Sequence, residues 1–490
     1  MRRSPLVVAV VLTALSLTAC GSRLDTELRQ DAADTALGRN GGSFLNSGEG
    51  TDQGAGPSTG GTGTTGGTGT TGGTGTTGGT GTTGGTGTTG GTGTTGGTGT
   101  TGGAPAPAGG NGGATDVGVT ATTISIGAIA DLAGPVPGLF QGAIAGTQAY
   151  VTKVNSEGGV FGRKLKLDVY DSQMQCGQYT ASTARAIQKD FAIVGSFSLY
   201  DGCGVNELGK SPNFPDVHSA LQNRAQAYKN NFSVAPLERG WRTGPLEYFK
   251  KRFGGAYQHV GSIYASVGGG AESWANCRAA IEKTGGAVVY ERAFGATETD
   301  FTADIIQMRQ RGVQMIYMPA TNAATAANVL KAARSQNVDW PIVFGGPAYD
   351  KAFLNQAGAQ AEGVFEDQQY ALFFNEEDAA NIPGVADFQK WMKLSGNGNN
   401  MDLFAAYGWA SGMLFVQALK AAGPKATRAA VTAELRKITK FDANGLLATS
   451  DPAGKHAPRC WLFSQVKGGK WVRVDTPAKA FRCDGGYFLA

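Results

Sequence analysis

Residues 116–490 are predicted to form an α/β fold of two doubly wound parallel-sheet lobes, because two separate series of strand-then-helix patterns follow one another with short connections. Three observations carry that expectation. Period-two runs such as Thr123–Ile129 mark strands, Ala-rich stretches spaced near 3.6 such as Gly142–Val154 mark helices, and Gly or Pro punctuates the junctions.

In the first series, Thr123–Ile129 runs into Gly134-Pro135 and reads as a strand leading to a loop. The helix Gly142–Val154 is closed by Gly158-Gly159, and Leu165–Tyr170 alternates again as a second strand. Ala181–Lys189 is expected as a helix and Phe191–Val194 as a buried strand ending at Gly195. The second series opens with strand His259–Ala265, helix Glu272–Lys283 and strand Ala287–Tyr290. It continues with helix Phe301–Arg311, strand Met315–Met318, helix Ala323–Arg334 and strand Pro341–Phe344.

The leader has a different character. Arg2 and Arg3 precede an apolar stretch from Leu6 to Leu17 that is too short to span a bilayer, and Leu17-Thr18-Ala19-Cys20 is followed by Gly21. This is a lipoprotein processing pattern, so residues 1–19 are expected to be a signal peptide and Cys20 the lipidated (palmitate-bearing) first residue of the mature chain. Beyond it, Gly-Gly-Thr-Gly-Thr-Thr repeats seven times between Gly60 and Thr101. Such sequence cannot bury enough apolar surface to offset its ordering entropy, so residues 20–115 read as a disordered Gly/Thr-rich tether. Treated as a Gly-rich coil of about 80 residues, it reaches on the order of 50 Å. The literal Gly61-Thr62-Gly63-Thr64-Thr65-Gly66 has no strand before it and no helix after it, so a dinucleotide site is not implied.

Composition narrows the function. A net charge of +4 over 490 residues, without a basic run interleaved with aromatics, argues against nucleic acid. The three histidines His218, His259 and His456 lie far apart, and no GxSxG, Walker loop or HExxH occurs, so no catalytic residue, metal or cofactor is assigned. Glu376-Glu377-Asp378 reads as a solvated loop.

The residues Ile124-Ser-Ile-Gly127, Gly134-Pro135, Asn155-Ser-Glu-Gly158-Gly159-Val-Phe-Gly162-Arg163 and Tyr170-Asp171 resemble the opening of the branched-chain amino-acid-binding family of type I periplasmic-binding proteins. Gly285-Gly286, Asp300-Phe301, Lys331–Arg334, Ala361-Glu362-Gly363-Val364 and Ala405-Ala406-Tyr407 extend the resemblance over residues 122–424. It implies lobes joined by three hinge crossings, with ligand held in a cleft between them beyond the carboxyl ends of the strands. Lobe 1 is expected at 116–236, lobe 2 at 237–365, a return to lobe 1 at 366–440, and a C-terminal hairpin region at 441–490 against the hinge or lobe 2.

In that family the carboxylate of an amino acid is held by first-lobe hydroxyls and backbone N–H groups, and the ammonium by an acid. The matching positions here place Leu139, Phe140 and Gln141 on the first loop, Ser196, Ser198 and Tyr200 on the next, and His218 and Ser219 on a third. Glu238 matches the acid and could pair with an ammonium. Leu199 stands where a serine is expected, Gly269 and Asn322 where tyrosines are, and Ala348 where a glutamate is, with Tyr349 adjacent. Because a buried ammonium without a fixed partner costs several kcal/mol, these departures mean that a zwitterion cannot be assumed, although Glu238 keeps amino acids in play.

The resemblance also sets the loops bearing Cys176 and Cys203 side by side, which predicts a disulfide there. Cys460 and Cys483 flank a Lys467-Gly468-Gly469 turn and read as a stapled hairpin, leaving Cys277 as a buried thiol. The expected protein is a non-enzymatic, monomeric, lipid-anchored solute-binding protein on the extracytoplasmic face of the membrane. It would capture a small polar solute, such as an amino acid, by lobe closure and deliver it to an ABC-type permease. A ligand-sensing receptor or a surface scaffold are the alternatives.

Overall fold

The computed structural model describes residues 110–490 apart from Ala478. The expected signal peptide, Cys20 and the repeat lie outside the described residues. The first sheet has the order β2-β1-β3-β4 and is parallel throughout, with β1 at Thr123–Ala130, β2 at Lys164–Asp171, β3 at Ala192–Val194 and β4 at Asp216–Val217. After the short strand β5 (Gly240–Arg242), the second sheet contains β6 at Val260–Ala265, β7 at Val288–Phe294, β8 at Met315–Met318 and β9 at Ile342–Phe344. It is completed by β10 at Phe365–Gln368, β11 at Leu462–Lys467 and β12 at Lys470–Val474, in the order β12-β11-β10-β9-β8-β6-β7. Five of these strands are parallel, and β11 and β12 add an antiparallel edge. The last strand, β13 (Tyr487–Leu489), pairs antiparallel with β5.

Each patterned segment is present, with ends that differ where helix signals are diluted. The helix expected from Ala181 starts at Cys176, and that expected from Glu272 starts at Gly268, where three consecutive glycines mask the helical start. The strand expected to stop at Tyr290 runs on to Phe294. Residues 111–115, read as the end of the tether, are instead fastened to the first lobe. The buried Arg163 guanidinium donates to the carbonyls of Thr120, Pro424 and Gly113 at 2.8 Å each, and also to that of Asn111. Four carbonyls satisfy a cation that has no carboxylate partner among the described residues, and burial lowers its pKa. The Glu376-Glu377-Asp378 segment, read as a solvated loop, is a short helix, and Asp378 is buried with Arg473 at 2.5 Å.

The chain passes to the second sheet near β5 and returns after β10. There Gln369–Ala371 runs antiparallel to Leu446–Ala448, bridged at Tyr370 and Leu447. The returning helix Leu403–Ala422 lies along Gln141–Ser156 at very close range. A Cβ at Gly146 would collide with the Ala405 carbonyl, and one at Gly408 with that of Ala143, so glycine sets the helix separation. Beside this seam Tyr150 and Trp409 meet edge to face with ring centroids 5.0 Å apart.

Both expected disulfides are present, Cys176–Cys203 and Cys460–Cys483, and Cys277 is free and buried. The second does not cross the β11–β12 turn. It joins the residue before Trp461 to the segment after β12, where Trp461 and Arg482 form a bridge. It therefore staples the C-terminal segment, rather than the hairpin itself, to the start of β11.

Two outcomes test this packing. Gly146→Ala should cost about 1–3 kcal/mol by overpacking the helix seam and lower Tm by a few degrees. Gly177→Ala, whose Cβ would meet nothing within 4 Å, should leave Tm unchanged or slightly higher. The second outcome concerns Asp190, which burial and the neighbouring Asp168 push up to about 7, against the opposing hydrogen bond from the Tyr170 hydroxyl at 2.7 Å. The folded state then holds this proton more tightly than the unfolded chain, whose Asp titrates near about 3.9. Stability from this group is therefore greatest below about pH 4 and declines as pH rises to about 7. Asp190→Asn should gain Tm over the native chain at about pH 8 and not at about pH 4, and an equal gain at both would refute the assignment.

Candidate functional site

A cavity of about 200 Å³ opens between the sheets. Its walls follow the carboxyl ends of seven parallel strands. Leu139 and Phe140 follow β1, Phe197 and Leu199 follow β3, and Ser219 and Leu221 follow β4. From the second sheet come Val267 after β6, Phe294 at the end of β7, Thr321 and Asn322 after β8, and Gly345 and Gly346 after β9. Loops at strand carboxyl ends are where open α/β sheets present backbone and side chains to a ligand.

The first-lobe wall is aromatic. Phe140, Phe197 and Phe404 pack as a triad with centroids 4.8–4.9 Å apart, and Tyr407 on the returning helix continues it. The floor is supplied by the crossing strands, with Trp241 and Arg242 on β5 and Asp367 and Gln368 on β10. Asp367 Oδ2 accepts from Arg242 Nε at 2.8 Å and pairs with Nη2 at 2.7 Å, while its Oδ1 accepts from the Tyr317 hydroxyl at 3.1 Å. Burial opposes the Arg242 charge, but Asp367 more than offsets this and raises its pKa. The guanidinium also lies 4.8 Å from the Trp241 ring centre.

On the open side the lobes touch. Asn223 N donates to Glu272 Oε2 at 2.8 Å, and the start of helix Gly268–Lys283 abuts Leu199 and Leu221 of the first lobe. A Cβ at Gly269 would lie 2.8 Å from Leu221 Cβ, so a residue lacking a side chain is what permits this approach.

Of the residues expected at the site, Leu139, Phe140, Ser219, Gly269 and Asn322 border the cavity. The Asn322 side chain is occupied as a helix cap, accepting from Thr325 N at 2.8 Å. The others lie elsewhere. Gln141 begins its helix and is exposed. Ser196 Oγ accepts from Ile129 N at 2.8 Å, and Ser198 Oγ donates to the buried Asp131 at 2.8 Å, so both hydroxyls brace the first sheet. Tyr200 precedes the turn Asp201–Gly204. Tyr349 is buried, its hydroxyl accepting from Phe374 N at 2.9 Å.

His218 is buried behind Ser219, with Nδ1 2.5 Å from Asp216 Oδ1 and Nε2 3.7 Å from Asp201 Oδ2. Burial disfavours its charge, yet the two aspartates push its pKa up to about 10, making it a structural cation. Glu238 also departs from its expected role. Its carboxylate takes His456 Nδ1 at 2.9 Å, Ala457 N at 2.9 Å and Arg459 Nη2 at 2.8 Å, and it does not border the cavity. It is therefore spent on the C-terminal segment and is not positioned to meet a ligand ammonium.

Trp241, Arg242 and Asp367 were not anticipated. The signals were an adjacent Trp-Arg pair and the run Glu366-Asp367-Gln368-Gln369 directly after apolar Val364-Phe365, whose first three members are each no more than 1% exposed. Among the described residues no group of three His, Cys, Asp or Glu could hold a metal ion, and no helix is long and apolar enough to cross a membrane.

This geometry agrees with what comparison finds. No curated protein matches the chain. Among solved structures it is similar to a fatty acid ABC transporter substrate-binding protein from Thermomonospora curvata, 20% identical with TM-score 0.64 over 76% of this chain and 94% of that one. A branched chain amino acid ABC transporter from Thermus thermophilus with bound valine is 15% identical, TM-score 0.63, over 72% and 95%. A leucine-binding protein from Thermotoga maritima is 18% identical, TM-score 0.60, over 72% and 97%. At these identities the likeness concerns the fold. The model of the family described as periplasmic binding protein matches residues 123–470, well over half of the sequence. With its two strand-end walls and the crossing-strand floor of the cavity between them, the chain belongs to the periplasmic binding protein family.

Proposed function

We propose that this protein is an extracytoplasmic solute-binding protein, lipid-anchored through Cys20, that encloses a small molecule between its lobes and presents the closed form to an ABC-type permease. The carrying observation is the cavity itself, walled by both lobes and floored by the strands that connect them. Family membership supports a binding role, and the relatives described as ABC transporter substrate-binding proteins support delivery to a permease. The lipoprotein pattern at Leu17–Cys20 and the glycine-rich repeat support a tethered position at the membrane surface.

The apolar lining shifts the expected solute away from a small polar molecule. Phe140, Phe197, Phe404, Leu237, Trp241 and Val267 offer burial worth about 25 cal/mol per Å² of ligand apolar surface. Closure is favoured only as far as the ligand binds the closed form better than the open one, and contacts to both walls provide that difference.

The reading is tested by thermal unfolding and small-angle scattering against amino acids, amides, esters, polyols and aromatic acids. A true solute at about a hundred times its Kd should add roughly 2.7 kcal/mol and reduce the radius of gyration. Gly269→Val should hold the lobes apart, abolish the compaction and weaken binding at least about tenfold with little change in ligand-free Tm. Undiminished compaction in that variant would contradict the closure mechanism.

A further inference from the structure

On the open side of the cavity a hydrogen bond spans the two lobes. The backbone N–H of Asn223 in the first lobe donates to Glu272 Oε2 in the second at 2.8 Å. Asn223 opens the short helix Asn223–Ala227, so its N–H has no acceptor within that helix. A carboxylate suits it well, because a charge-assisted bond is about twice as strong as a neutral one. Glu272 itself stands near the start of helix Gly268–Lys283, where the helix dipole favours a negative charge.

Both partners are held in place by their own lobes. The buried Asp201 carboxylate accepts from Leu221 N at 2.5 Å and from Gln222 N at 3.1 Å, and Gln222 Oε1 accepts from Gly202 N at 2.9 Å. The turn Asp201–Gly204 is in turn fastened to helix Cys176–Lys189 by the Cys176–Cys203 disulfide. The segment leading into Asn223 is thus fixed, and its donor is presented at a set position. Across the mouth, a Cβ on Gly268 would collide with the Leu199 carbonyl, and one on Gly269 would lie 2.8 Å from Leu221 Cβ. These glycines let the helix start reach the first-lobe backbone, which brings Glu272 within reach of Asn223.

Resting on the solute-capture reading above, we propose that Glu272 and Asn223 form a clasp that holds the lobes together through contacts of the protein's own, so that the closed form is populated before a solute arrives. The two partners belong to different lobes, so the bond exists only when the lobes meet, and all of its free energy favours the closed form over the open one. Solute contacts then complete a closure that is already partly favoured, and a smaller differential affinity suffices to shift the population. Both residues are half-buried, so water competes for them, and the clasp is expected to move the closed-to-open ratio by about three- to tenfold.

The test is single-molecule energy transfer between dyes on Gln188→Cys and Gln310→Cys, exposed positions on helices of the first and second lobes, in the full chain carrying Cys20→Ser. Cys277 is buried and the other cysteines are disulfide-bonded, so the dyes report the two chosen sites. In buffer without added solute the chain should populate a closed and an open state. Glu272→Ala should shift the closed-to-open ratio about three- to tenfold toward open, and Glu272→Gln, which keeps an acceptor oxygen, should shift it less. Asn223→Pro deletes the N–H at a first helical position that follows an extended residue, where proline is accommodated, and should match Glu272→Ala. Combining Glu272→Ala with Asn223→Pro should add nothing further. An unchanged ratio in both single variants, or additive shifts in the double variant, overturns the clasp. A chain that is open throughout in buffer yet closes with one of the solute classes named above rejects self-closure and leaves solute capture standing. A clasp that responds as expected, in a chain whose ratio no solute class alters, defeats the capture reading instead.

Discussion

The buried Arg242–Asp367 pair is the constraint around which the molecule is arranged. Arg242 sits on β5, where the chain enters the second lobe, and Asp367 on β10, just before it leaves, so one interaction ties the two crossings together. Removing two charges from water costs several kcal/mol per ion, and such a pair is tolerable only when its geometry is good and its remaining lone pairs are used. Both conditions hold, with two guanidinium nitrogens on one carboxylate oxygen and the Tyr317 hydroxyl on the other. Losing either partner would leave an uncompensated charge beneath the cavity, so the pair gives the hinge a defined geometry.

Several distant features converge on this point. β13 adds to β5, bringing residues 487–489 alongside Trp241 and Arg242, and the Tyr487 hydroxyl donates to the Glu238 carbonyl at 2.8 Å. The Cys460–Cys483 disulfide and the Glu238 contacts with His456 and Arg459 hold the same C-terminal segment. The Glu238 carboxylate thus anchors the segment that buttresses the hinge.

Three of the positions that depart from what the family resemblance implies share one physical direction, while Asn322, standing for a tyrosine, keeps a polar side chain. Leu199 where the resemblance implies a serine, Gly269 where it implies a tyrosine and Ala348 where it implies a glutamate all lack a polar or charged side chain. Gly269 also removes bulk where the second lobe meets Leu221, so the lobes approach by backbone contact instead of through a side chain.

Much of this was legible in the chain. Strand and helix periodicity gave the α/β class, and the opening motif with its glycines marked the family pattern. Leu139, Phe140 and Ser219 were placed at the site by the family resemblance, and they border the cavity on loops that follow strand ends. What could not be read was which polar groups face inward. Ser196, Ser198 and His218 sit on the expected loops yet turn their polar atoms to Ile129, Asp131 and Asp216. Glu366-Asp367-Gln368, polar in sequence, is a buried strand. The sequence by itself determined the order of strands and helices, because hydrophobic periodicity is a property of neighbouring residues. Only the tertiary structure decided the chemistry of the cavity, because whether a buried charge or hydroxyl is free for a ligand depends on partners more than a hundred residues away, as Asp367 is from Arg242.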